Sequence, residues 1–327
     1  MLVLNILVCG GAGYIGSHMC HWLQAHGHSV AVLDNLSTGH REAVRWGEFI
    51  RADLQDRSSL DQVFAGRSYD AVMHFAASSL VGDSVRDPVA TYQNNVTGTL
   101  NLLEAMRRHG VGRLVFSSSA AVFGEPRADL VDELHPLEPI NPYGASKRMV
   151  ERILADAAAS YGLRAVALRY FNAAGALAGA GIGEAHACET HLIPNVLRSA
   201  GGSGPKLSVF GNDYPTPDGT CIRDYVHVAD LASAHGLAIE YMLAHEGFHA
   251  FNLGSEAGYS VMEIIATAAD IVGRAVPFEF AARRAGDPAR LVASSAKAER
   301  LLGWKRDWTD LRSIIESAWQ WHRQQPY

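Results

Sequence analysis

Hydrophobic and polar positions in the first half of the chain alternate between short apolar runs and longer amphipathic stretches. Because turn residues bound the apolar runs, they predict strands at residues 4–9, 29–33, 48–52, 71–74, 114–117 and 165–169. Between several of them, residues 16–25 and 95–109 show helical spacing. The pattern predicts a doubly wound α/β fold, in which right-handed crossovers place helices on both faces of a parallel sheet.

The pattern loosens after about residue 172. Glycines cluster at 175–183 and 201–204, and three prolines interrupt the region that follows. Shorter elements are predicted here, with helices at 192–199, 228–243, 261–272 and 309–323 and strands at 207–210 and 251–253. We therefore predict a Rossmann domain over residues 1–172 and a smaller C-terminal α/β lobe over 173–327, with some later segments returning to the first domain.

Composition and charge narrow the class of protein. The 327 residues are 48% hydrophobic and 19% charged, which is typical of globular proteins. The net charge of −6 argues against nucleic acid or an anionic membrane as a partner. No apolar run is long enough to span a membrane. Four cysteines without a C-x-x-C pair, and an N-terminus without a basic leader, predict free thiols and a cytoplasmic location.

Three glycines predict a dinucleotide site. Gly10, Gly13 and Gly16 follow the first strand and open a helix, whose free N–H groups would bind a pyrophosphate that a Cβ would block. Asp34 ends the second strand about 20 residues on, where its carboxylate can bond both ribose hydroxyls and repel a 2′-phosphate. The predicted cofactor is therefore NAD. Asp53 follows the third strand, where a plain N-cap is the alternative role.

A tyrosine and a lysine supply candidate proton chemistry. Tyr143 and Lys147 stand at i and i+4, on one face of a helix predicted to begin after Pro142. The ammonium and a positive nicotinamide ring would lower the pKa of the phenol, so that it could exchange a proton with a substrate hydroxyl. The alternative is an ordinary helix-surface pair. Residues 117–119 are serines at a strand end, which favours the chemical role, although serines are also common in turns.

The chain resembles the extended short-chain dehydrogenase/reductase family. The matching segments lie in order along nearly the whole chain: GGAGYIGSH (10–18), LDN (33–35), HFAA (74–77), NNVTGT (94–99), SSSAAVFGE (117–125), NPYGASK (141–147), LRYFNAAGA (168–176), FGNDYPTPDGTCIRDYVHV (210–228), FNLGS (251–255) and RRAGD (283–287). The segment 210–228 is far more specific than the glycines. The similarity is to members that interconvert UDP-galactose and UDP-glucose, and implies NAD-dependent C4 epimerisation through a transient 4-keto sugar.

The resemblance implies a role for each matching residue. In catalysis Tyr143 would be the acid–base residue, Lys147 its partner and Ser119 a hydrogen-bonding serine. The cofactor would be held by Gly10, Gly13, Tyr14, Ile15, Gly16, Asp34, Asn35, Asp53, Leu54, Phe75, Ala76, Ala77, Asn94, Ser117, Tyr143, Lys147 and Tyr170. The UDP-hexose would be held by Ser119, Tyr143, Phe171, Asn172, His191, Leu192, Phe210, Arg223, Arg284, Asp287 and Leu291. The forked donors of two of these arginines suit a diphosphate.

Three positions depart from the family pattern. Ser79 stands where some members have lysine, which puts one cofactor contact in doubt. His191 stands where asparagine is frequent, and its imidazole can still form a hydrogen bond. Leu291 stands where a bulky tyrosine closes the sugar pocket of some relatives, so UDP-N-acetylhexosamines are also expected to enter.

Two rival functions remain open at this point. A nucleotide-sugar 4,6-dehydratase carries an Asp-Glu pair after the strand-end serine or threonine, whereas this chain has Ala120 and Ala121. A non-enzymatic NAD-binding scaffold typically loses the Tyr/Lys pair, which this chain keeps.

Assembly and metal binding are the remaining expectations. By resemblance, helices at about 92–109 and 143–161 pair between two copies, which implies a homodimer. No metal is expected, since a group of closely spaced donors fits no closed four-ligand zinc pattern: Glu184, His186, Cys188, Glu189 and His191.

Overall fold

A computed structural model describes residues 2–284, 287–324 and 327. Its strands are β1 Asn5–Cys9, β2 Ser29–Asp34, β3 Glu48–Arg51, β4 Ala71–His74, β5 Arg113–Ser117, β6 Arg164–Tyr170, β7 Asn172–Ala174, β8 Leu207–Phe210, β9 Ile222–Arg223, β10 Tyr225–His227, β11 Phe248–Leu253, β12 Tyr259–Ser260, β13 Phe278–Ala281 and β14 Arg290–Leu291.

The α-helices are α1 Tyr14–Ala25, α2 Arg57–Phe64, α3 Val81–Arg86, α4 Pro88–Tyr92, α5 Gly98–Arg108, α6 Pro142–Tyr161, α7 Leu192–Gly201, α8 Val228–Ala244, α9 Val261–Val272, α10 Ala296–Leu302 and α11 Leu311–Gln324. A π-helical turn, Gln93–Thr97, joins α4 to α5. Short 3₁₀ helices cover Arg41–Ala43, Ala120–Val122 and Ala178–Ala180. No helix in the described ranges is both long and apolar enough to cross a membrane.

The main sheet confirms the predicted fold class. Seven parallel strands lie in the order β11-β6-β5-β4-β1-β2-β3. The strand order reverses direction between β1 and β4, where sheets of this kind bind ligands beyond the carboxyl ends of their strands. One apolar core packs α1 and α8 onto one face of the sheet, and a second packs α2, α5 and α6 onto the other.

A third core belongs to a smaller lobe built from α7, α9 and α11 with the β8–β13 pair. Its second small sheet has the order β12-β9-β14. The strands β9, β12 and β14 have two residues each, too short to show period-two alternation, so the sequence pattern did not predict them. Two later elements nevertheless belong to the main body. The helix α8 packs on α1, and the strand β11 pairs with β6.

Candidate functional site

The glycine loop after β1 packs so closely against neighbouring backbone that two of its positions have no room for a side chain. Gly10 has φ +81°, and a Cβ on it would lie 2.6 Å from the backbone nitrogen of Ala76. A Cβ on Gly16 would lie 2.1 Å from the Gly10 carbonyl oxygen. Because the N-cap of α1 is Gly13, no side chain covers the first N–H groups of the helix. The loop therefore fits the pyrophosphate of a dinucleotide.

Carboxylates at the ends of β2 and β3 fix the neighbouring loops. Asp34 accepts hydrogen bonds from the backbone N–H of Ala12 (2.9 Å) and of Leu36 (2.8 Å). Burial raises the pKa of Asp34, although these two N–H groups act to lower it. Asn35 donates from its side chain to Asp53 at 2.9 Å. The residues predicted to face the adenosine therefore lie together at one sheet edge.

The strand β4 leads into a second wall of the site. The backbone N–H groups of Phe75 and Ala76 donate to the carbonyl of Cys9, at 2.8 and 3.1 Å. In the π-helical turn, Asn94 donates to the side-chain oxygen of Asn95, at 3.0 Å. π-Helical turns are frequent at functional sites.

Asn95 itself was not predicted. Its amide nitrogen donates to the hydroxyl of Ser146 at 2.9 Å and to the carbonyl of Ser78 at 3.0 Å, and its oxygen accepts from the N–H of Ser78 at 2.8 Å. It therefore ties the turn to α6 and to the segment after β4. In the sequence, Asn95 stands beside Asn94, and this polar pair interrupts a helical pattern. The interruption is the signal that could have identified Asn95.

The remaining predicted cofactor-side residues lie around these walls. The Tyr14 hydroxyl donates to the Gly175 carbonyl at 2.6 Å. The hydroxyls of Ser117 and Tyr170 are hydrogen-bonded to each other. Ile15 packs against the first core, and Leu54 belongs to the second core.

Tyr143 and Lys147 lie in the first turns of α6, at the carboxyl end of β5. Asn141 caps the helix by accepting from the Gly144 N–H at 2.8 Å, and Pro142 occupies the first helical position. The Lys147 ammonium donates to the Ser117 carbonyl at 2.8 Å and lies 5.8 Å from the centre of the Tyr143 ring. The predicted pair therefore faces the end of β5.

The pKa of Tyr143 differs from the prediction. Burial raises it above its ordinary value, and a hydrogen bond with Ser119 acts to lower it. Burial also lowers the pKa of Lys147 to about 7, while Glu151 acts to raise it. The lysine is thus only partly charged at neutral pH, and it cannot alone supply the lowering that the sequence predicted.

A buried ion pair beneath Lys147 was not predicted. Glu151 accepts from Arg169 at 2.9 and 2.6 Å and from the Ser118 hydroxyl at 2.6 Å. The Glu151 side chain is 0% exposed and the Arg169 side chain is 4% exposed. Glu151 follows Tyr143 and Lys147 at the next i+4 position, which is the signal that could have identified it.

The predicted substrate residues form a second group, contributed mainly by the smaller lobe. The Arg284 guanidinium lies 3.9 Å above the centre of the Phe210 ring. Arg223 pairs with Asp287 at 3.3 Å. Asn172 donates through its amide to the Asp224 carbonyl, at 2.7 Å.

Leu291 links this group to the segment after Ser119. It pairs in register with Arg223 and packs on the cluster that contains Phe123 and, at its edge, Phe171. Ala120, Val122 and Phe123 of that cluster follow Ser119 closely in the chain, so Leu291 lies against the segment that carries the predicted serine.

Two neighbouring predicted residues have different surroundings. Leu192 begins α7 and packs against the core of the smaller lobe. The Nδ1 atom of His191 lies 2.7 Å from Glu184 and 3.1 Å from Glu189. This ring nitrogen is therefore engaged by carboxylates rather than free for a nucleotide.

Comparison with known proteins yields one family and close relatives. The model of the NAD dependent epimerase/dehydratase family matches residues 6–254. UDP-glucose 4-epimerase of Lacticaseibacillus casei is 49% identical over 99% of this chain and 98% of its own length. The Brucella ovis UDP-glucose 4-epimerase in complex with NAD is 48% identical with a TM-score of 0.94, covering 97% of this chain and 98% of that one. For the Bifidobacterium longum enzyme in complex with NAD+ and UDP, identity is 37% and the TM-score 0.93, over 98% and 99% of the two chains.

Proposed function

The chain belongs to the NAD dependent epimerase/dehydratase family, and we propose that the residues gathered at the carboxyl ends of β1, β4 and β5 carry out its chemistry. The protein is an NAD-dependent isomerase that interconverts UDP-galactose and UDP-glucose by inverting C4 of the hexose. The resemblance seen in the sequence is thereby confirmed.

Tyr143 moves the proton of the sugar 4-hydroxyl. Bound NAD would supply the hydride acceptor and donor for C4, so that the hydride could return to the opposite face of a transient 4-keto sugar. Ser119 lies close enough to Tyr143 to lower the pKa of the phenol, and its hydroxyl can bond the same sugar oxygen. Lys147, held by the Ser117 carbonyl at 2.8 Å, favours the phenolate whenever it is protonated.

The smaller lobe anchors the nucleotide. Arg223 and Arg284 offer forked donors for the diphosphate. Arg284 lies over one face of the Phe210 ring, and the opposite face is suited to stacking on the uracil. The hexose must rotate between the two hydride transfers. The strong contacts are therefore expected with the UDP portion of the substrate. Tight holding of the hexose would prevent that rotation.

The observation that carries this proposal is the placement of Tyr143, Lys147 and Ser119 at the sheet edge that also holds the glycine loop. The dehydratase alternative needs a further acid and base beside the serine. Here the Ser119 hydroxyl caps a 3₁₀ helix that begins with Ala120 and Ala121, accepting from the Ala121 N–H at 3.1 Å. Neither alanine can move a proton, which favours epimerisation over elimination.

Incubation with UDP-galactose, without added cofactor, tests the function. We expect UDP-glucose as the product, detected by NMR. A deoxy-keto sugar nucleotide would support the dehydratase, and an unchanged substrate would support the scaffold. Tyr143→Phe should abolish turnover but retain bound dinucleotide; activity in this variant would refute the assigned proton carrier.

A wider substrate range also forms part of the proposal. Because Leu291 is smaller than tyrosine and lies against the loop after Ser119, we expect space for an N-acetyl group. Turnover of UDP-N-acetylgalactosamine measures this directly. No conversion, in a preparation that turns over UDP-galactose, would contradict it.

A homodimer and a cytoplasmic location complete the proposal. Leu100 on α5 and Met149 on α6 are 44% and 46% exposed, and Val85 and Val89 beside α6 are 61% and 64% exposed. This apolar surface supports pairing of α5 and α6 with a second copy. Sedimentation that shows only a 35 kDa species would contradict the dimer. Free thiols at all four cysteines support a reducing compartment.

A further inference from the structure

The segment before α7 gathers four side chains of types that can bind a metal, outside the residues assigned to the epimerase chemistry. Glu184 and His186 precede a bend at residues 187–188, and Glu189 and His191 follow it. One carboxylate oxygen or imidazole nitrogen from each lies within 4.8 Å of all the others. The bend therefore brings two Glu-x-His pairs close together in space. Zinc motifs defined by sequence spacing do not describe this arrangement.

The distances suit a tetrahedral ion. The Nδ1 atom of His186 lies 3.4 Å from Glu184 and 3.2 Å from Glu189, and that of His191 lies 2.7 and 3.1 Å from the same carboxylates. Ligand atoms with zinc bonds of ~2.0–2.2 Å lie about 3.3–3.6 Å apart on a tetrahedron. Small outward movements of the rings would thus admit the ion.

Charge and access point in the same direction. The side chains of Glu184 and Glu189 are 8% and 5% exposed, and within the described ranges neither forms a salt bridge with lysine or arginine. Two such buried carboxylates need positive charge close by, which the two imidazoles supply when they are protonated and which Zn²⁺ would supply in place of those protons. Glu184, His186 and Glu189 line a cavity of about 300 Å³, and the His191 side chain is 45% exposed, so an ion has a route to the site.

The surrounding structure holds the ligands in place. The Trp321 indole donates to the Glu184 carbonyl at 2.7 Å, and His40 Nε2 lies 2.9 Å from the Ala185 carbonyl. Asn195 of α7 donates to the Glu189 carbonyl at 3.2 Å. The segment is therefore tied to α11, to the loop after β2 and to α7, a support that metal sites need.

We propose that Glu184, His186, Glu189 and His191 bind one Zn²⁺, which braces the start of α7. The donor set of two imidazoles and two carboxylates fits zinc, with each group supplying one ligand atom. The ion has no part in moving the proton or hydride. It fixes the segment that leads into the substrate lobe.

Metal content tests the site independently of epimerisation. Untagged protein is incubated with Zn²⁺, passed through gel filtration and analysed by mass spectrometry of the metal. We expect one zinc per chain. Loss of an outer hydrogen-bonding partner of a ligand costs about 10–100-fold in metal affinity. Because His186→Gln removes a ligand itself, it should weaken zinc binding by at least as much. Cys188→Ser is the matched control, because this exposed thiol lies in the same bend outside the ligand set.

Folding of each variant is checked by circular dichroism and by bound dinucleotide, and Glu189→Gln replaces His186→Gln if the latter does not fold. Cobalt loading gives a second readout, with tetrahedral visible bands in the parent and in Cys188→Ser only. A parent chain without zinc after loading, or equal zinc in His186→Gln, would show an ion-pair cluster alone and overturn the proposal.

Discussion

Replacement of Lys147 by methionine should change how the stability of the protein depends on pH. Lys147 is 3% exposed, and burial lowers its pKa from 10.5 to about 7. In the unfolded chain the amine keeps a pKa of ~10.4. Between these two values the unfolded state binds more protons than the folded state, so stability rises with pH.

The magnitude follows from the two pKa values. Below pH 7 both states are protonated and the full cost of burying the charge is present. From pH 7 to pH 9 the folded lysine loses its proton while the unfolded one keeps it, and this contributes about 2 kcal/mol of stability. Methionine fills a similar volume and does not titrate, so Lys147→Met lacks this contribution.

Urea unfolding of both proteins, with equal dinucleotide content, measures the effect at pH 7, 8 and 9. From pH 7 to pH 9, the free energy of unfolding of the parent should rise by about 2 kcal/mol more than that of Lys147→Met. All other titrating groups are common to both chains and cancel in the difference. Parallel pH profiles would refute the lowered pKa, and with it the partly neutral lysine beside Tyr143.

Three further predictions concern the cofactor loop, the buried pair and the sugar pocket. Gly16→Ala should lose bound NAD, measured by absorbance after denaturation, because its Cβ would lie 2.1 Å from the Gly10 carbonyl; Gly82→Ala, with no atom within 4 Å of the added Cβ, should retain it. Glu151→Gln leaves the Arg169 charge without its partner and should lower the free energy of unfolding by about 3–5 kcal/mol; a loss below about 1 kcal/mol would contradict the importance of this pair. Leu291→Tyr should selectively reduce turnover of UDP-N-acetylgalactosamine, and an equal reduction for UDP-galactose would argue against a pocket effect.

Local constraints made part of the site predictable. The glycine positions are imposed by backbone approach, and the Gly16 Cβ distance shows why no other residue fits there. The i, i+4 spacing of Tyr143 and Lys147 needs only a helix to bring the two side chains to one face. The parallel sheet follows from apolar strands that alternate with amphipathic helices.

Long-range polar contacts explain what the sequence did not predict. Arg169 interrupts an apolar strand, and only the fold shows that it meets Glu151 from α6. The Glu-x-His pairs at 184–191 converge through a bend that has no periodic signal. Burial, which depends on the whole structure, reverses the expected direction of the pKa shift of Tyr143.

The strand β11 has a consequence for how the molecule is made. It supplies the outer edge of the main sheet beside β6, yet it follows the strands β8 and β9 of the smaller lobe along the chain. Trp304, which is 1% exposed, completes the core on the same side. During synthesis, the main sheet therefore cannot add its last strand until the chain has emerged from the ribosome as far as residue 253, and nascent chains arrested after residue 172 would carry β6 as an open edge available to other strands.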